Sequence, residues 1–198
     1  MSGEEDLTTA ADIVASGGLV IYPTETVYGL GADALEPDAV ERVFEAKGRD
    51  RSEPISLGVP DIECALEHVH ASEHERDFMR AFLPGPVTVV LEGRETVPDV
   101  LTGGRDRVGI RIPDHDLARE LLDRAGPLTA TSANVSGRES ATRVADVDPE
   151  IRDAAGAILD GGETAGTAST VVDVAAGEIY RRGTNANAVE RWLRNHSE

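Results

Sequence analysis

The 198 residues, 40% hydrophobic but only 4% aromatic, suffice for one domain whose core is built from Val, Ile, Leu and Ala. No apolar run approaches the roughly 20 residues that span a bilayer, no secretory signal follows the acidic start Met1–Asp6, and the single Cys64 excludes an internal disulfide or a cysteine metal cluster, so a cytoplasmic protein with no membrane partner is expected. Thirty-seven acids against nineteen bases give a net charge of −18, which repels nucleic acid in dilute buffer and reads as a halophilic surface; a calcium-binding surface or a nucleic-acid mimic are the alternatives.

Thr8 to Ser16 has helical periodicity and stops at Gly17-Gly18. Leu19 to Tyr22 is a short strand closed by Pro23. Pro37 to Lys47 predicts a helix with Val40, Val43 and Phe44 on one face, followed by a strand at Ile55 to Val59. Ser72 with Glu75 forms a capping-box pattern for a helix to about Leu83, broken by Pro84-Gly85-Pro86. Strands follow at Val87 to Leu91 and Val108 to Ile112, then an amphipathic helix over Asp114 to Arg124 and a strand at Leu128 to Thr131. The last third predicts a helix near Pro149 to Ala155, strands at Ala157 to Leu159, Thr170 to Val174 and Ile179 to Arg181, and a helix over Asn187 to Arg194 anchored by Trp192. Two late strands form a hairpin around Gly177, and the interspersed pattern gives an α/β (α+β) fold with a mixed sheet flanked by helices, in one domain.

Three segments carry polar residues that such a fold does not need. In Tyr22 to Ala34, hydroxyls at Thr24 and Thr26 lie among Gly29 and Gly31, as in a small-ligand loop or a tight turn with capping threonines. In Lys47 to Ile55, three bases fall within five residues and include the chain's sole lysine; Lys47 and Arg49 read as a phosphate clamp, or as cations complementing a helix end. In Leu128 to Gly137, with Ser140 beyond, a strand delivers Thr131, Ser132, Asn134 and Ser136 into a polar loop beyond its carboxyl end, either a phosphate site or a plain connection. No P-loop and no G-x-G-x-x-G spacing occurs. Further blocks are Pro84 to Thr88, Arg107 to Pro113 and Asp160 to Asp173. Arg111 on its apolar strand needs a ligand or an ion-pair partner. His68, His70 and His74 have imperfect helical spacing on a solvated face and do not read as a metal site; Cys64 reads as a small buried hydrophobe.

Taken in order, these blocks resemble the YrdC/Sua5 family of threonylcarbamoyl-AMP synthases, from about Gly18 to Gly183. The resemblance implies a twisted mixed parallel/antiparallel sheet with an open concave face. It implies a nucleotidyltransferase that makes threonylcarbamoyl-AMP and pyrophosphate from L-threonine, bicarbonate or CO2 and ATP. Mg²⁺ would be held mainly by the phosphates. The product would pass to the tRNA threonylcarbamoyl transferase machinery, with weak RNA binding at high salt as a further partner. Carried over by motif, Lys47 and Arg49 would be catalytic and neutralise the ATP phosphates, with Ser132, Asn134, Ser140 and Arg181 on the nucleotide; Thr24, Arg111, Ala130 and Ser169 would bind threonine. Glu53 and Gly58 stand where the family often has Asn and His, and Arg107 where it often has Thr. The sequence matches the single-domain form, 1–198, without the carboxyl-terminal domain of the long form. The alternatives are a non-catalytic double-stranded RNA or tRNA-binding module and a related carbamoyl-adenylate-forming enzyme.

Overall fold

The computed structural model describes residues 3–196; Met1 and Ser2, at the head of the acidic start, and Ser197 and Glu198 lie outside the described residues. Helix α1 (Glu4–Ala15) begins earlier than the expected Thr8. Its first turn is acidic, and the Gly3 amide donates to Asp6 (2.9 Å), so charge at the positive helix start extends it. Strand β1 (Leu19–Pro23) returns antiparallel as β2 (Tyr28–Gly31). In the sequence the glycines of β2 hide the strand pattern, and the segment reads as part of a loop. They are required there: a Cβ at Gly29 or Gly31 would come within 3.0 or 2.9 Å of the Tyr22 ring.

Helix α2 (Pro37–Lys47) has the expected bounds, opened by Pro37 and closed by Gly48 in the left-handed conformation (φ 56°). After β3 (Ser56–Gly58) come α3 (Ile62–His68) and β4 (Val69–His70), both too short for periodicity to betray. Helix α4 (Glu73–Phe82) has the expected capping box, the Ser72 amide donating to Glu75 (2.8 Å) and the Glu75 amide to the Ser72 hydroxyl (3.3 Å). The remaining elements are β5 (Val87–Gly93), the short α5 (Asp99–Thr102), β6 (Arg107–Arg111), α6 (Asp116–Ala125), β7 (Leu128–Ser132), α7 (Pro149–Ala154), β8 (Ala155–Ile158), β9 (Thr170–Asp173), β10 (Glu178–Arg181) and α8 (Ala186–Asn195). The expected hairpin joins β9 to β10 through Gly177 (φ 67°). Trp192 packs edge-on against Phe78 at 4.9 Å, tying α8 to α4.

One sheet runs in the order β10-β9-β5-β6-β3-β7-β2-β1-β8, with β4 paired to β5. The pairs β1/β8, β3/β6 and β5/β9 are parallel and the others antiparallel, which is the mixed sheet expected. Side-chain alternation then decides where a ligand can go. Along β5, Val87, Val89 and Leu91 enter the core; along β6, Val108 and Ile110 do; Leu57 and Thr129 do so on β3 and β7. The alternate positions, Thr88, Val90, Arg107, Gly109, Arg111, Ser56, Gly58 and Ala130, face a single cavity. A second core cluster packs α1 and α6 over Val20 and Tyr22, on the face of β1 opposite Leu19 and Ile21.

Candidate functional site

The cavity has a volume of about 1300 Å³ and lies across a sheet face, not beyond strand ends as the loop-based reading supposed. Gly109 keeps its floor open, since a Cβ there would meet Ser56 Oγ at 2.7 Å. Five arginines line it: Arg49, Arg105, Arg107, Arg111 and Arg181; its acids are Glu53 and Glu139. In a chain of net charge −18, this gathers positive potential into one concavity, where low-dielectric walls focus it.

The arginines are held differently. Arg107 donates to Asp173 (2.9 Å), itself buried. Arg111, 7% exposed, places Nη2 2.8 Å from Glu25 Oε1 in a geometry that leaves Nη2 and both Glu25 oxygens without a hydrogen bond, while its Nη1 donates to the Val87 carbonyl (3.5 Å). The ion-pair alternative for Arg111 is thus present, and the partner is a residue that the sequence reading passed over within the hydroxyl and glycine block. A lone charge on an apolar strand was the available signal that such an acid existed. Arg49 donates to the carbonyls of Glu53 and Pro54 and meets the Glu53 carboxylate only at 3.7 Å. Arg105 and Arg181 have no acidic partner among the described residues. Burial, and then the charges of Arg111 and Arg49, lower the pKa of Arg181, so three guanidiniums share one field.

Eight of the ten expected site residues line this cavity: Thr24, Arg49, Arg111, Ala130, Ser132, Ser140, Ser169 and Arg181. Thr24 Oγ1 donates to the Val27 carbonyl (2.7 Å) and accepts from the Val27 amide (3.2 Å), closing the turn that carries Glu25. Both readings of that segment therefore hold at once: it is a capped turn and part of the cavity. Ser169 accepts from Arg181 Nη2 (2.7 Å) and touches Thr88 Oγ1 (3.3 Å).

Lys47 and Asn134 are placed behind the wall. Lys47 is 1% exposed, and its ammonium donates to the carbonyls of Ser132 and Asn134, the latter at 2.7 Å. Its own carbonyl accepts from the Ser136 amide (2.8 Å). The clamp expected for phosphate thus grips the polar loop in this structure, because a buried ammonium must find acceptors. Burial, then the charge of Arg49, lowers its pKa to about 8. Asn134 donates to the carbonyls of Val135 (2.9 Å) and Arg138 (3.0 Å) and accepts from Ser140 (3.4 Å), holding the loop from within.

Tyr22 and Tyr180, also on the wall, were not singled out in the sequence. Burial pushes the Tyr22 phenol up to about 12, against the pull of Arg111, so it stays a neutral donor to the Thr129 carbonyl (3.3 Å). Among the described residues no histidine lines the cavity; His68 bonds Thr96 (3.1 Å) and His74 packs against Trp192. Cys64 is half-buried against the core, and burial pushes its thiol up to about 11.

A family model for Sua5, YciO and YrdC proteins, described as "Telomere recombination", matches residues 12–183. The chain is 43% identical to a threonylcarbamoyl-AMP synthase of Pyrococcus abyssi, over 86% of this chain and 51% of the relative. It is 36% identical to the threonylcarbamoyl-AMP synthase of Pseudomonas aeruginosa, over 87% of this chain and 94% of the relative. The crystal structure of P. abyssi Sua5 complexed with L-threonine superposes with a TM-score of 0.86 at 40% identity, over 92% of this chain and 55% of that one. The chain therefore spans about half the length of the archaeal relative and nearly all of the bacterial one.

Proposed function

The chain belongs to the Sua5/YciO/YrdC family, and from that premise we propose that it is a threonylcarbamoyl-AMP synthase whose arginine-lined cavity holds ATP beside L-threonine. The observation that carries this reading is the five guanidiniums on one cavity wall of an acidic chain, interleaved with hydroxyls at Ser56, Thr88, Ser132, Ser140 and Ser169. Guanidiniums suit phosphates and a carboxylate; the hydroxyls suit an amino acid and a ribose. The L-threonine complex of the P. abyssi relative supports the choice of amino acid.

In the proposed reaction the threonine amine attacks CO2; a C–N bond forms, a proton is released, and N-carboxythreonine results. Its new carboxylate attacks the α-phosphorus of ATP in line; that P–O bond forms as the bond to the β-phosphate breaks, and pyrophosphate leaves. Such a step rests on positioning and charge neutralisation and needs no nucleophilic side chain. Arg49 and Arg181 take phosphate charge, and Arg111, steadied by Glu25, takes the threonine carboxylate. Lys47 acts through the loop it pins, presenting Ser132 and Ser140 to the nucleotide. The wall offers two carboxylates, Glu53 and Glu139, rather than a ligand cluster, so Mg²⁺ would be carried by the phosphates and add charge neutralisation there. The product would serve a tRNA threonylcarbamoyl transferase in a salt-rich cytoplasm. Pyrophosphate release measured with each substrate omitted in turn tests this: release requires ATP, threonine and bicarbonate together, and release that ignores threonine refutes it.

A further inference from the structure

Tyr180 is the one large hydrophobic side chain that is strongly exposed among the described residues, at 57%, and it stands on the cavity wall. Strand alternation alone would send Tyr180 and its neighbour Arg181 to opposite faces. The β9/β10 ladder instead shifts register between them: Ile179 pairs with Val172 and Arg181 with Val171, leaving Tyr180 as an extra residue. Such a bulge re-aims side chains, and here it lets consecutive residues line the same cavity.

The ring is also held. The Tyr180 hydroxyl donates to Asp173 Oδ2 (3.0 Å), while Asp173 Oδ1 accepts from Arg107 Nη2 (2.9 Å) and the Ala176 amide (3.0 Å). Asp173 is 3% exposed, so one buried carboxylate fixes both the phenol and a wall guanidinium. An aromatic ring left in water, with its tip anchored and a guanidinium next in sequence, is a preorganised flat surface beside an anion site. L-Threonine offers no flat ring to cover it; a nucleobase joined to phosphates does.

We infer that Tyr180 is the stacking platform for the nucleobase of the nucleotide substrate and so a determinant of nucleotide over bare polyphosphate. This rests on the ATP reading of the cavity. Calorimetric titration of the full chain with ATP and, separately, with inorganic tripolyphosphate tests it, using Tyr180→Ala, Tyr180→Leu and Tyr180→Phe. Loss of one base–aromatic stack predicts ATP binding weakened about 5- to 100-fold in the Ala and Leu variants, tripolyphosphate binding unchanged, and ATP binding retained within about threefold in the Phe variant. All three variants remove the donor to the buried Asp173 Oδ2, so a similar small drop in thermal midpoint is expected in each, and the contrast between the Phe variant and the Ala and Leu variants isolates the ring. Wild-type ATP affinity in Tyr180→Ala, or equal weakening of both ligands, overturns the platform while leaving the ATP reading intact. A wild-type chain that binds neither ligand overturns both.

Discussion

Replacing Lys47 by Ala separates two roles, the phosphate ligand that the sequence motif implies and the loop anchor that the structure adds. The ammonium of this buried side chain donates to the carbonyls of Ser132 and Asn134. Truncation leaves the Asn134 carbonyl without its donor, at about 1–3 kcal/mol, leaves the Ser132 carbonyl with only the Asn134 amide (3.0 Å), and empties the volume of a fully buried stem. A loss of about 3–5 kcal/mol is expected, a large share of a typical domain's 5–15 kcal/mol. Arg49→Ala, on the cavity wall and partly exposed, should cost about 1 kcal/mol or less while weakening ATP binding at least tenfold. The pKa of Lys47 adds a signed test. It is lowered from 10.5 to about 8 in the fold, so between those values the unfolded chain binds more protons than the folded one. That contribution to stability is fully present above 10.5 and is lost as pH falls through about 8. The stability gap between wild type and Lys47→Ala therefore widens from pH 8 toward pH 10.5. Urea unfolding at several pH values measures both effects. A Lys47→Ala chain of undiminished stability that has lost threonine-dependent turnover would refute the anchor role and restore the direct phosphate contact.

Other perturbations have equally local causes. Glu53 brings a carboxylate to the anion site 3.7 Å from Arg49, so Glu53→Asn should tighten ATP binding by up to about fivefold; an unchanged KM for ATP would argue that Glu53 faces away in the complex. Glu25→Ala leaves Arg111 buried without its acid and should cost about 3 kcal/mol of stability, with the KM for threonine raised more than that for ATP; equal effects on both would separate Glu25 from the amino-acid site. A Cβ at Gly183 would collide with the Ala168 carbonyl oxygen and lie 2.6 Å from the Ser169 backbone. Gly183→Ala should thus lower the urea midpoint by the equivalent of about 2 kcal/mol or more, and a silent substitution would contradict this packing.

The elements with strong periodicity or explicit caps were legible: α2 between Pro37 and Gly48, α4 from its Ser72–Glu75 box, and the β9/β10 hairpin at Gly177. Those stabilised by tertiary contacts were not. β2 is a strand only because Gly29 and Gly31 pass beneath the Tyr22 ring, and α3, β4 and α5 are too short to carry a pattern. In the site, the ordered motif blocks led to eight cavity residues. They could not distinguish the wall from the layer behind it, because Lys47 and Asn134 lie in the same blocks as Arg49 and Ser132. Glu25 and Thr88, inside blocks the sequence marks but not named there as site residues, join the site through a turn and through strand alternation, and Tyr180 joins it through a bulge.

The central claim is that this cavity joins a carboxylated threonine to the α-phosphate of ATP. Mass spectrometry of the adenylate formed from ATP, L-threonine and ¹³C-bicarbonate addresses it directly. The account predicts a threonylcarbamoyl-AMP carrying one ¹³C, formed with one pyrophosphate; an unlabelled threonyl-AMP, or no adenylate at all, would contradict it.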